Sequence, residues 1–502
     1  MKKFAEKIIL LTWVLIMAFV YETSAKICIS RISISGNKIT KNSVILREVS
    51  FKTGTYISLE GLEEKMADSK INLRNTSLFN EIEITYEPDT VTDIATLCTF
   101  AEEIRKMPRH NTGEEILFYN VNIRVSERWY YWPLIGIKLE DRNLSSWLKD
   151  MDFNKITFDA GIKIDNVWGL NHTLSLSGRF GYEKGVKFSY EDISLDPKGV
   201  NSFSVGAYSK FNKTINLACV DNKPVYIKRG EYLEKNAGGH ITYIYRPEIR
   251  VHHRVTFDYN YRRLNDSVLI MNRDYYGSNS LKNHEYSLQY RFSFDQRDYS
   301  YFPTTGYYVG VTAKGTTADK FDFWYGSVMA DLQYYKKIGK RWFWMSAIKL
   351  SVSYKNKNAY IYDRAIGYDM ANVCGYDLYV VDGQHFGTFN NSFRFLLLPE
   401  KTIKLNFLRA LSKFYKIPFT IYVSASLDAG YVHNRYPAGT NTLQNSYLLG
   451  AGIGIDILTY YDIVFNISYA YTRMNEGGIF FGLKTPIFLF FFAQRLTYLY
   501  SG

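Results

Sequence analysis

Val255-Thr256-Phe257-Asp258-Tyr259-Asn260-Tyr261-Arg262 alternates apolar and polar residues without a break. A period of two describes a strand with one apolar and one wet face. Tyr286, Leu288, Tyr290, Phe292 and Phe294 repeat the pattern against Ser287, Gln289, Arg291 and Ser293, and Thr173 to Ser177 repeats it in shorter form. Such strands suit a wall between lipid and a watery lumen. A bilayer leaves the backbone groups of an open sheet edge unsatisfied, so the strands must close on themselves.

Working outward, about sixteen such segments fall at 131–140, 155–163, 172–182, 185–191, 201–212, 236–246, 251–263, 283–295, 305–314, 322–336, 341–354, 388–398, 417–430, 446–457, 461–471 and 476–484. An even number is usual for bacterial barrels. The connections near 212–236, 263–283, 354–388 and 430–446 are long, and each follows an odd-numbered strand. Several after even strands are short, such as Arg246-Pro247-Glu248 and 337–340. Short periplasmic turns and long outer loops are the expected asymmetry. The predicted fold is an all-β transmembrane barrel of about 16 antiparallel strands, preceded by a small α+β domain.

Composition agrees. Aromatics make up 17% of the 502 residues, with 43 Tyr and 33 Phe, while charged residues make up 22%. The mean hydropathy of −0.21 excludes a bundle of membrane helices. The formal net charge of +12 reads either as attraction to anionic lipid or lipopolysaccharide phosphate, or as solvated loops. Nucleic acid is the other option for a basic protein; the basic residues are scattered and form no long run, which suits solvated loops, and no nucleic-acid partner is expected. Lys2, Lys3 and Lys7, the apolar run Ile8 to Val20 and Thr23-Ser24-Ala25 read as a signal peptide over 1–25. The spacing of Cys28, Cys98, Cys219 and Cys374 fits no metal motif. A Cys28–Cys98 bridge is open in an oxidising compartment.

Residues 26–126 read as the α+β domain. Ile27, Ile29, Ile32 and Ile34 make a strand ending at Gly36-Asn37. Thr40 can cap a short helix, and Ser58 a second with Leu59, Leu62 and Met66 on its apolar face. Ile82, Ile84 and Tyr86 alternate with Glu81, Glu83 and Thr85, Asp89 to Glu115 is an insertion, and Ile116 to Val125 is the last strand. Four aromatics beside a proline in Trp129-Tyr130-Tyr131-Trp132-Pro133 suit a membrane–water boundary or a hydrophobic hinge.

Three stretches carry a resemblance. They are Asn372-Val373-Cys374-Gly375-Tyr376-Asp377 in the long connection 355–387, the turn Phe294-Asp295-Gln296-Arg297-Asp298 with Phe302-Pro303-Thr304-Thr305-Gly306, and Ser426-Leu427-Asp428-Ala429-Gly430. Together they resemble the BamA/TamA superfamily of outer-membrane barrels, and the Trp129–Pro133 cluster resembles the junction in its Bacteroidetes members. The β-α-α-β-β order, with Ser35-Gly36-Asn37-Lys38-Ile39-Thr40, Ile45-Leu46-Arg47-Glu48 and Gly54, resembles the POTRA domain that precedes such barrels. The resemblance implies one periplasmic POTRA domain at 26–126 and an outer-membrane barrel at 127–502, with a lumen loop at 355–387. In that family a loop arginine pairs with an acidic residue of the wall. Here Cys374 replaces the arginine, and Asp428 stands where the acid is expected. Three readings stay open: Arg364 or another lumen base substitutes, Asp428 is hydrated, or the loop is loosely held.

The turn carrying Asp295, Arg297, Asp298, Pro303 and Gly306 reads as a wall-to-loop hydrogen-bond network or as a charged turn. Gly477, Gly478 and Gly482 sit in the last strand, where the family has a weak seam, and would weaken pairing or mark a bulge. Lys484 to Gly502 follows, either as the true last strand or packed beside the seam. His252-His253 are adjacent on a strand, point to opposite faces and cannot chelate one ion together. No hydrolase, metalloprotease or P-loop pattern occurs. The resemblance implies no cofactor and no enzyme, but a factor that assembles, inserts or translocates outer-membrane or secreted client proteins. Outer-membrane lipids and periplasmic accessory proteins are its other partners. The alternatives are a lipid or lipopolysaccharide transport barrel of the same fold, or a passive channel plugged by the loop.

Overall fold

The structure, a computed structural model, describes residues 26–89, 117–139 and 156–484, apart from 319, 369, 407, 408, 410–412 and 438. The signal peptide, Cys98 with most of the 89–115 insertion, and the tail beyond Lys484 lie outside the described residues. The chain forms two compact units. The described residues up to Lys38, with Glu48–Arg74 and Phe79–Glu127, belong to the first, and Ile39–Arg47, Asn75–Leu78 and Arg128 onward to the second.

The first unit is a four-stranded sheet with order β2-β1-β4-β3, built from β1 (Lys26–Ser35), β2 (Tyr56–Ser58), β3 (Phe79–Pro88) and β4 (Leu117–Glu127). β1 and β4 run parallel in its centre, and both neighbours are antiparallel. Ile27, Ile29, Val121, Ile123 and Val125 are buried. Between strands the chain forms helices α1 (Asn42–Leu46) and α2 (Leu59–Asn75). Thr40 does not cap α1: Lys41 holds the cap position and no side chain bonds there. Ser58 does cap α2, accepting the Gly61 N–H at 3.1 Å. The buried stripe of α2 is Leu62, Ser69 and Leu73, while Leu59 is exposed. Cys28 is buried and forms no disulfide among the described residues.

The second unit is a 16-stranded antiparallel sheet in which sequence neighbours pair. Its strands are β5 (Tyr131–Leu139), β6 (Ile156–Val167), β7 (His172–Gly181), β8 (Lys184–Ser194) and β9 (Asn201–Asn212). A separate hairpin, β10 (Thr214–Val220) and β11 (Lys223–Lys228), stands in the next loop. The wall resumes with β12 (Glu234–Glu248), β13 (Val251–Leu264), β14 (Lys282–Asp295), β15 (Gly306–Ala318), β16 (Phe323–Lys337) and β17 (Trp342–Lys355). Two short strands, β18 (Arg364–Ile366) and β19 (Val381–Asp382), pair within the loop that follows. The wall ends with β20 (His385–Lys404), β21 (Lys416–His433), β22 (Tyr447–Leu458), β23 (Val464–Thr472) and β24 (Gly477–Lys484). All sixteen alternating segments are strands of this sheet. Ile241, Tyr243 and Tyr245 on β12, and Val255 and Phe257 on β13, face outward. β5 starts at one rim, which the resemblance makes periplasmic, and the long connections all lie at the opposite, outer rim.

Those outer connections share a core. Ile215 and Leu217 of β10 pack with Leu233, Leu264, Tyr275, Tyr276, Phe323 and Ala359. Asn222, at the β10–β11 turn, accepts the Val380 N–H on its backbone oxygen (2.9 Å) and the Leu443 N–H on its side-chain oxygen (3.0 Å), joining three loops.

Candidate functional site: the loop seated on the wall

The loop between β17 and β20 begins with a 3₁₀ turn at Tyr360–Tyr362, then folds into the β18–β19 hairpin with Ile366 opposite Val381. Its tip, 367–380, sits on the inner face of the last strands. Val373 and Tyr376 are buried among Ile366, Tyr379, Phe386, Val432, Leu443 and Leu448. Burying each such apolar side chain contributes about 1.5–3 kcal/mol, so the tip is fixed by a small core of its own. The Tyr376 N–H bonds the Val373 oxygen, and the Tyr379 N–H bonds the Tyr376 oxygen, both at 3.0 Å. Gly375, between them, has φ +83°.

The wall under the tip is cut down to receive it. A Cβ on Gly450 would lie 1.8 Å from the Cys374 carbonyl oxygen, one on Gly430 would lie 2.7 Å from Val373 Cγ2, and one on Gly452 would lie 2.8 Å from Cys374 Sγ. Three glycines on β21 and β22 thus form a trough for main chain and small side chains. Gly430 stood out in the sequence, whereas Gly450 and Gly452 did not. Their signal was the alternation Gly450-Ala451-Gly452-Ile453-Gly454.

Asp428 is buried in this trough. Its partner is not a base. The Cys374 N–H donates to Oδ2 (3.0 Å), the Asn390 amide donates to the same oxygen (2.8 Å), and the Asn391 N–H donates to Oδ1 (3.2 Å). Asn390 also donates to the Asn372 oxygen at 3.1 Å. Charged acceptors make the stronger hydrogen bonds, so the carboxylate holds the loop through backbone, whatever side chain stands at 374. Arg364, the candidate substitute, lies elsewhere: its guanidinium stacks over Tyr360 and Tyr368 (5.8 and 5.6 Å). Position 364 is opposite Asp382 on the β18–β19 hairpin. A cavity of about 210 Å³ remains beneath the tip, lined by Cys374, Asp377, Ser424, Asp428, Asn466 and Ser468 among others.

The Asp295–Gly306 turn, at the periplasmic rim, is stapled to the wall. Arg297 grips Asp295 with two bonds (2.8 and 2.6 Å), reaches Gln333 of β16 (3.2 Å) and stacks over Tyr308. Asp298 accepts the N–H groups of Tyr299, Thr304 and Thr305 at 3.0, 2.9 and 3.1 Å. The Pro303 oxygen accepts from Arg394 of β20 (3.1 Å), a half-buried base that the sequence reading missed. Gly306 has φ +99°, and a Cβ there would strike the Gln296 oxygen. These bonds tie the turn to the wall strands.

Gly477, Gly478 and Gly482 lie in β24, opposite Tyr471, Ala470 and Asn466 of β23. Among the described residues β24 pairs only with β23 and β5 only with β6, and no ladder joins β24 to β5. Side chains instead connect the start of β5 with the β22–β23 turn. Arg128 forms two bonds with Asp462 (2.5 and 3.0 Å), Tyr299 donates to the same carboxylate, and the Trp132 and Tyr461 rings meet edge to face at 4.7 Å. Trp129 and Tyr131 of the aromatic cluster are exposed, whereas Tyr130 and Trp132 are buried. No group of three or more metal-ligating side chains occurs among the described residues.

Residues 27–127 match the family of the surface antigen variable number repeat, the POTRA domain, and residues 166–384 match the Omp85 superfamily domain. No curated protein matches the chain. Solved structures similar to it include BamA from Haemophilus ducreyi lacking POTRA domains 1-3, at 15% identity over 89% of this chain and 81% of that one (TM-score 0.44). CdiB from Acinetobacter baumannii aligns at 13% identity over 91% and 73% (TM-score 0.45), and CdiB from Escherichia coli at 12% over 92% and 91% (TM-score 0.43). The chain therefore carries a POTRA domain followed by an Omp85 superfamily domain within a sixteen-stranded barrel, and resides in the outer membrane of a Gram-negative bacterium with its POTRA domain in the periplasm.

Proposed function

We propose that this protein assembles, inserts or translocates outer-membrane or secreted client proteins by opening the seam between β5 and β24. The observation that carries this reading is the asymmetry of the wall. Fifteen interstrand ladders run through the sheet, whereas β5 and β24 meet with none among the described residues. β24 spans only eight residues, three of them glycine. An edge with unpaired N–H and C=O groups is a template for another chain's strand. The seated tip of the 355–387 loop, held by Asp428, Gly430 and Gly450, braces β21 and β22 close to that edge.

The POTRA domain supplies a first contact by strand addition. Its sheet ends in β2, only three residues long, and in the ten-residue β3, so β3 is the edge long enough to hold an extended client. The role is non-enzymatic, and outer-membrane lipids and periplasmic accessory proteins are further partners. Depletion followed by quantitative proteomics of the outer membrane tests the reading. Broad loss of other barrels marks an assembly factor, and loss of one or a few surface proteins marks a dedicated translocator. An unchanged proteome overturns both and favours lipid transport or a passive pore.

A further inference from the structure

At the outer rim, the lipid-facing side of the barrel carries a row of cations set by strand register. Lys184 of β8 lies opposite Phe211 of β9, which lies opposite Lys235 of β12. Lys235 lies opposite Arg263 of β13, and Arg263 opposite Lys282 of β14. Each shares its strand face with outward apolar residues: Val186 and Phe188, Ile241, Phe257, and Tyr286 with Leu288. Four strand spacings of about 4.8 Å give the row a width of about 19 Å.

Like charges directly opposite on neighbouring strands are destabilising, yet Lys235, Arg263 and Lys282 occupy three consecutive strands in one row. A further cation joins them. Lys213 and Lys235 hold their ammonium groups over the same ring, that of Tyr232, at 5.4 and 5.8 Å from its centre. The acids of these strand ends do not offset this charge. Glu234 and Glu285 point into the lumen and are taken by Arg262, at 3.2 and 4.0 Å. Among the described residues none of these five cations has an ion pair. The next row toward the membrane centre is Ala237, Tyr261 and His284, and Tyr261 is a polar-tipped ring of the kind that marks the membrane–water interface. The cations therefore stand at headgroup depth, with their stems along apolar wall.

We propose that Lys184, Lys213, Lys235, Arg263 and Lys282 form a binding site for the phosphates of an outer-leaflet lipid with a multiply phosphorylated sugar headgroup. Anions between the opposed side chains relieve their repulsion, and the Arg263 fork suits bidentate phosphate contact. A row this wide engages more than one phosphate at once. This site does not depend on the seam.

The test uses the full-length protein in detergent, titrated by native mass spectrometry with bisphosphorylated lipid A, its monophosphorylated form and phosphatidylglycerol. At about 1 kcal/mol per cation near a charged lipid, K235Q with R263Q weakens binding of bisphosphorylated lipid A by about thirtyfold. K336Q with K337Q, an exposed pair at the periplasmic rim, leaves it unchanged. The charge-preserving pair K235R with R263K retains most of the binding, which separates lost charge from disturbed folding. Wild-type affinity in K235Q/R263Q, an equal loss in the periplasmic pair, or equally tight binding of phosphatidylglycerol overturns the proposal.

Discussion

Gly450→Ala is the most informative single change, because it acts on the loop through one methyl group. The added carbon would sit 1.8 Å from the Cys374 oxygen, so the tip must retreat by more than an ångström. That retreat stretches the Cys374 N–H bond to Asp428, now 3.0 Å. A hydrogen bond to a charged group contributes about 1.5–3 kcal/mol, and forcing a methyl into a filled space costs about 1–3 kcal/mol. Docking of the tip should therefore weaken by about 3 kcal/mol, or about a hundredfold in the docked population. Hydrogen exchange read by mass spectrometry checks this: protection of the Cys374, Tyr376 and Tyr379 amides falls about a hundredfold, while the amides of β13 and β14 keep theirs. Cys374→Ser retains the backbone donor and shifts protection by no more than about threefold. Unchanged protection in Gly450→Ala, or a larger loss in Cys374→Ser, refutes the claim that backbone holds the loop.

Arg128→Ala leaves the buried Asp462 carboxylate without its base and costs about 3–5 kcal/mol; chemical unfolding should show it, with partial recovery in the Arg128→Ala/Asp462→Asn pair. Arg297→Lys keeps the charge but loses the two-pronged grip on Asp295 and costs about 1–2 kcal/mol, read as a lower midpoint of thermal unfolding. Burial pushes the Asp382 carboxyl of the loop hairpin up to about 6, although the Tyr368 hydroxyl, donating at 2.6 Å, opposes that shift. A carboxyl whose pKa is raised on docking favours the docked loop when protonated. Docking is therefore strongest below about pH 4 and weakens as pH rises through about 6. Exchange of the β18–β19 amides, corrected for intrinsic rate, should quicken across that window, and Asp382→Asn should remove the dependence.

The strands were legible because burial on one face writes a period of two into the chain, and lipid on the other face sharpens it. The position of the loop was legible as well, since Gly, Asp and Tyr interrupt that period between 355 and 385. What holds the loop was not. Asp428 takes two of its three bonds from backbone N–H groups, which every residue except proline carries, so no residue type at 374 reports them. Arg364, the loop base nearest in sequence to suit the role, stands opposite Asp382 in the register of β18 against β19. Arg128 and Asp462 lie 334 positions apart, and only the return of the last strands toward the first brings them together. The Lys235–Arg263–Lys282 row shows the same limit: each cation is unremarkable alone, and register alone aligns them.

The proposed handling of clients requires a seam that opens, and a reversible lock across it is the most direct test. Cysteines are placed along the outward face of β5, at Tyr131, Pro133 and Ile135, and along that of β24, at Ile479 and Phe481, with Cys28, Cys98, Cys219 and Cys374 replaced by serine. Client assembly or secretion is then followed in the oxidised and reduced protein. Loss of activity on oxidation, restored by reduction, is the predicted result. Full activity with the seam locked would contradict it.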